Sequence, residues 1–98
     1  MASNFAIHHR RRKRDLHLGL SGDFDGSSAF ELVHCLQKAL KQNQRIFVHT
    51  DRLSNLQTFG CEMFQKQFHS PAPLAARVVF TGAYAPRIAP DGSSTHVD

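Results

Sequence analysis

The spacing of the apolar residues changes period along the first half of the chain. In "LHLGL", residues 16–20, Leu16, Leu18 and Leu20 alternate with His17 and Gly19. From residue 29 the apolar positions fall instead at Ala29, Leu32, Val33, Leu36 and Leu40. A period of two describes a strand with one covered face, and spacings of three and four describe one face of a helix. "RIFVHT", residues 45–50, is then a short β-branched and aromatic run, the composition of a strand covered on both faces. Strand, amphipathic helix and strand in that order leave few folds. The helix must cross over a sheet, and a right-handed crossover makes the two strands parallel.

The remaining segments extend this unit. "NFAIHH", 4–9, reads as an edge strand, with the basic run and Asp15 as a hairpin connection into the strand at 16–20. "SGDFDGSS", 21–28, is dense in turn formers and ends that strand. Ser28 and Glu31 have capping-box spacing, which starts the first helix at Ser28; "KQNQ", with Asn43, closes it. Residues 51–55 read as a loop. A second helix spans 57–69, with Phe59, Met63, Phe64 and Phe68 on its buried side, and "SPAP", 70–73, stops it. "ARVVFTG", 76–82, is a further strand, "AYAPRIAP" holds a short helical turn, and "DGSSTHVD" is a loose polar tail. The expected order is β-β-α-β-α-β: a mixed, mostly parallel four-stranded sheet with helices packed against it. One domain over 1–85 is expected, followed by a helical turn and tail at 86–98.

Charge is placed unevenly. The formal net charge is +4, yet "RRRKR", residues 10–14, holds five positive charges, so the rest of the chain is slightly acidic. No apolar run reaches the ~20 residues of a membrane span. The N-terminal charges follow a short apolar stretch, the wrong order for a secretion signal. A cytoplasmic protein is expected. Cys35 and Cys61 fall in helical patterns and read as small apolar residues in a reducing compartment.

Few residues point to catalysis. Neither phosphate-cradling glycine motif is present. The seven histidines are scattered over different elements without a helical metal-binding pair; His17 and His49 alone fall where neighbouring strands would bring them face to face. Asp23 and Asp25 lie two apart, but no nucleophile or base accompanies them, and they read as turn punctuation. An enzyme, a metal site and a cofactor are therefore not expected.

The element order, with "LHLGLSGDFDGSSAFELVHCLQKAL", resembles the opening of a STAS domain, the fold of bacterial anti-sigma factor antagonists and of sulfate-transporter tails. In that family a strand runs into a Gly-x-x-Asp turn and an amphipathic helix, matched here by Gly22 to Asp25. A buried strand ending in Asp follows, matched by "IFVHTD". An Asp-Ser-Ser/Thr-Gly motif then opens the second helix, and "QTFG", 57–60, stands in its place. Thr58 matches the phosphorylated hydroxyl, Gly60 the motif glycine, and Asp25 the turn aspartate near that site. Gln57 replaces the motif aspartate and Phe59 the second small hydroxyl residue; the loop from Asp51 to Gly60 is about two residues short of the family spacing.

The resemblance implies a non-enzymatic regulatory module that docks a partner through the Gly22–Ser28 loop and the start of the second helix. Asp23, Asp25, Gly26, Ser27, Gln57, Phe59, Gly60 and Cys61 would form that surface. The partner implied is an anti-sigma factor or serine kinase, or another STAS-containing protein. Thr58 fits two roles. A helix N-terminus offers free amides and partial positive charge that tolerate a phosphate, and a threonine there can equally cap the helix. A second reading, ranked below the first, is nucleic-acid binding through residues 8–14, with Arg10, Arg11, Arg12, Lys13 and Arg14 as the contacts; a third, implied by the resemblance, is a STAS scaffold subunit that binds a homologue and is never phosphorylated. Neither an aromatic platform beside them nor a helix-turn-helix pattern is evident in the sequence. No membrane partner is expected.

Overall fold

The structure is a computed structural model that describes residues 4–42, 45–68, 76–90 and 93–96. In chain order the elements are β1 (Ala6–Arg12), β2 (Asp15–Phe24), α1 (Gly26–Leu40), β3 (Arg45–Leu56), α2 (Thr58–Gln67), β4 (Val78–Thr81), α3 (Ala85–Ile88) and β5 (Ser94–His96). They form one five-stranded sheet in the order β1-β2-β3-β4-β5. β1 runs antiparallel to β2, and the pairs β2–β3, β3–β4 and β4–β5 are parallel.

The alternation in β2 does what its period dictates. Leu16, Leu18, Leu20 and Phe24 are buried on the side that the helices cover. They meet Ile46 and Val48 of β3, Val78 and Phe80 of β4, and Leu32 and Leu36 of α1 in one continuous core. Phe64 of α2 lies edge-on to both Phe24 and Phe80, with ring centroids 6.3 and 5.8 Å away. Such edge-to-face contacts add to the hydrophobic gain of burying each ring.

Several boundaries differ from expectation. The basic run is strand as well as connection: Arg10, Arg11 and Arg12 belong to β1, and only Lys13 and Arg14 turn the hairpin, Lys13 with φ of 58°. β2 continues through "SGDF" to Phe24. There Gly22, at φ of 88°, lets the chain pass so close to Asn4 that a Cβ would overlap the Asn4 carbonyl oxygen. β3 does not end at Thr50, because Leu53 is buried opposite Gly22 and carries the strand through the polar residues to Leu56. Nor is β3 buried on both faces. Ile46, Val48 and Thr50 are buried, whereas Phe47 and His49 are half-buried on the side away from the helices.

The capping box at Ser28 is also corrected. Asp25 is the N-cap of α1, and its carboxylate accepts from the Ser28 amide at 3.0 Å. Ser28 is fully buried inside the first turn, and Glu31 lies exposed beyond it. Among the described residues the sheet has five strands instead of four. Ser94–His96 pairs in parallel with β4, and Ile88 of α3 is fully buried in the core. The loose tail expected there is thus an edge strand over those residues. Asn43 and the "SPAP" stop lie outside the described residues.

Candidate functional site

Two turns meet at the N-termini of α1 and α2. The Gln57 amide donates to the Phe24 carbonyl at 3.0 Å, which ties the end of β3 to the end of β2. Gly60 is buried there, and a Cβ on it would lie 2.8 Å from the carbonyl carbon and oxygen of Asp25 and from the Phe24 carbonyl oxygen. Only a residue without a side chain lets the first turn of α2 rest on the backbone that opens α1. The Phe59 ring lies over Gly26, where a Cβ would come within 3.0 Å of its Cε2. Asp23, Asp25, Gly26 and Ser27 are thereby gathered with Gln57, Thr58, Phe59 and Gly60.

What these residues present varies. Thr58 is exposed and occupies the first position of α2, while Gln57 is the N-cap and makes no side-chain capping bond. The helix-cap reading of Thr58 is therefore corrected: its hydroxyl is inside the helix boundary and bonds no group among the described residues. Phe59, expected on the buried side of α2, is 62% exposed. Cys61 is buried and presents no thiol to a partner; burial pushes its pKa up. Asp25 is held as a carboxylate, its pKa lowered chiefly by the Ser28 backbone amide. The Ser28 hydroxyl lies 2.7 Å from the Asp23 carbonyl and 3.1 Å from Asp25 Oδ1, within donating distance of either.

Phe30 escaped the sequence reading. It stands one turn beyond Gly26 on α1, off the apolar stripe, and is 54% exposed with its ring edge-on to His34 at 5.5 Å. The signal available was a phenylalanine at a helical position that the core-facing stripe does not use.

The side of the sheet that no described helix covers carries a second arrangement. His17 Nδ1 lies 2.8 Å from His49 Nε2, and His49 Nδ1 lies 2.6 Å from Thr81 Oγ1. The two imidazoles are parallel within 3°, with centroids 5.1 Å apart. The short N···N contact plus the ring radii accounts for that separation, so they bond edge to edge in one plane. His17 stacks on Phe47 at 4.9 Å. Burial, and then the neighbouring His17, holds the His49 pKa below its ordinary value, against a smaller opposing effect of Asp51. Among the described residues, no group of three or more histidine, cysteine or acidic side chains is placed to hold a metal ion.

The five basic residues do not form one patch. Arg10 and Arg12 pair with His17 and Asp15 on the uncovered side of the sheet, Arg11 pairs with Leu16 on the helix side, and Lys13 and Arg14 occupy the turn. No helix among the described residues is long and apolar enough to cross a membrane.

No protein-family model and no curated protein matches the sequence. The fold, however, is matched by the solved structure of the anti-sigma factor antagonist SpoIIAA in its unphosphorylated form. The TM-score is 0.56 at 16% identity, over 80% of this chain and 72% of that one. The chain thus has the STAS-like α/β fold of an anti-sigma factor antagonist, carried by a sequence that shares few of its residues.

Proposed function

We propose that the protein is a regulatory interaction module that docks a protein partner through the joined N-termini of α1 and α2. The observation that carries this reading is the Phe59 ring, 62% exposed over Gly26 and adjacent in sequence to the exposed Thr58 hydroxyl. An aromatic ring held on a rigid backbone platform is the kind of anchor that dominates protein interfaces. The likeness to an anti-sigma factor antagonist supports an anti-sigma factor or its serine kinase as the partner.

Thr58 is the proposed phosphoacceptor. Its hydroxyl oxygen would attack the γ-phosphorus of ATP held by the partner kinase. The new bond is Oγ–P, the bond to the ADP oxygen breaks, and the hydroxyl proton passes to a base of the kinase. The product adds ~1.5–2 negative charges next to the apolar anchor. That charge opposes burial of Phe59 in an interface, so phosphorylation would release the partner. This chain presents the hydroxyl and does no catalysis.

Calorimetric titration of the anti-sigma factor tests the docking surface. Phe59→Ala is expected to weaken Kd by about thirty-fold, in the range of a hot-spot aromatic. Wild-type affinity in that variant, with the fold intact by circular dichroism, would place the interface elsewhere.

A further inference from the structure

The side of the sheet that no described helix covers is unlike an ordinary solvated β-surface. Cross-strand register arranges it in rows. Arg12, Asp15 and Arg45 form the first row; Arg10, His17 and Phe47 form the second; His8, Gly19, His49, Thr81 and His96 form the third. Arg52 lies beyond, opposite Ser21. Phe47 and His17 stack within 10° of parallel, and the Arg45 guanidinium sits 5.8 Å from the Phe47 centroid. Gly19 has no side chain, and a Cβ there would meet nothing closer than His8 at 3.8 Å. Beside this aromatic pair opens a cleft of about 460 Å³ lined by His8, Arg10, Arg12, His17, His49 and Arg52, with Asp51 at its side.

We infer that this face binds single-stranded nucleic acid, with bases stacked on Phe47 and His17 and phosphates held by Arg10, Arg12 and Arg52. Charge complementarity selects the occupant. The face carries four arginines against Asp15 and Asp51, and Asp15 lies 4.0 Å from Arg45, which leaves the other three cations for the ligand. These cations extend over three row spacings, about 20 Å of strand. A mononucleotide offers its negative charge at one point, whereas a strand with a phosphate at every nucleotide offers one to each of the three arginines. Aromatic planes on an open sheet, flanked by cations, are what sequence-tolerant stacking of unpaired bases requires. A duplex is excluded by the same logic, because its bases are already stacked on one another. Reading the basic run as a linear segment missed this. The strand period sends alternate arginines to opposite faces, and the aromatic partner of Arg10 and His17 comes from β3.

Fluorescence anisotropy of a labelled single-stranded oligouridylate of about ten nucleotides tests the inference. The full chain is expected to bind, and affinity should fall as salt rises. Phe47→Leu, which keeps apolar bulk and removes the aromatic plane, should weaken binding about ten-fold. Arg10→Glu with Arg12→Glu should leave only weak binding with a flattened salt dependence. Uridine monophosphate and inorganic polyphosphate should each compete poorly. No binding at low salt would overturn the inference. Wild-type affinity in Phe47→Leu, with polyphosphate competing as well as the oligonucleotide, would also overturn it by showing adsorption through charge alone. Monophosphate binding as tightly as the strand would overturn it too. Melting curves of each variant separate lost binding from lost folding, and Phe59→Ala, on the helix side, should bind the oligonucleotide as wild type does.

Discussion

At Gly60 the distance between two backbones decides whether the site exists. A methyl group there would sit 2.8 Å from main-chain atoms of Phe24 and Asp25, and main chain cannot rotate away as a side-chain tip can. Gly60→Ala is expected to destabilise the fold by about 1–3 kcal/mol, the cost of overpacking, read as a lower urea midpoint with unchanged slope. Asp25 is the second decisive residue. Its carboxylate caps α1 through the Ser28 amide, and Asp25→Ala should cost about 1 kcal/mol at neutral pH. The Ser28 amide lowers the folded-state pKa beneath the ordinary 3.8. The contribution is therefore present above that pH and lost as acid protonates the carboxylate in the folded protein. The gap between wild type and Asp25→Ala should close in acid, which chemical denaturation at pH 7 and pH 3 would show.

Among the elements, β2, β3 and β4 are joined by side chains as well as by their ladder. The chain His17–His49–Thr81 bridges all three strands on the uncovered side. His49 has a depressed pKa, so the folded state binds fewer protons than the unfolded state below the ordinary value of 6.5. Its contribution is complete above about that pH and declines as pH falls toward the folded pKa. Two charged imidazoles would also both be donors, which removes the acceptor in the 2.8 Å link. Thermal melts should show a drop in stability between pH 7.5 and 5.5 that shrinks in His49→Gln. Equal pH dependence in the two proteins would contradict this. The strands themselves differ in how openly the sequence declares them. β2 shows its leucines at every second position, and the β3 core positions Ile46 and Val48 are equally plain. The far half of β3 is hidden, because "DRLSN" is polar except for Leu53, and what keeps it extended is pairing with a β2 that itself runs through a glycine-rich, turn-like stretch. β5, "STH", has no apolar residue at all; its strand character is supplied by the free edge of β4. The meeting of the two helix N-termini was accessible only through the family resemblance. No local pattern says that Gly60 will pack on Asp25, since that contact joins segments far apart in sequence.

The whole molecule is a sheet with two unlike sides. One side, covered by helices, holds the core and ends in the exposed Phe59 ring and Thr58 hydroxyl; the other bears arginines, histidines and a stacked aromatic pair. The C-terminal part binds the covered side together, since Ile88 is fully buried and Gln65 Nε2 of α2 donates to the Arg87 carbonyl at 3.1 Å. Ile88→Ala should therefore cost about 2–5 kcal/mol, as for other buried isoleucines, measured by equilibrium unfolding; a loss under 0.5 kcal/mol would mean this segment is dispensable. The proposed phosphorylation of Thr58 is tested by an intact mass of the protein after incubation with ATP and an anti-sigma factor kinase, with Thr58→Ala alongside. The added mass of one phosphoryl group is expected on the wild type and none on the variant. An unmodified wild type, with the kinase active on another substrate, or equal phosphorylation of Thr58→Ala, would contradict it.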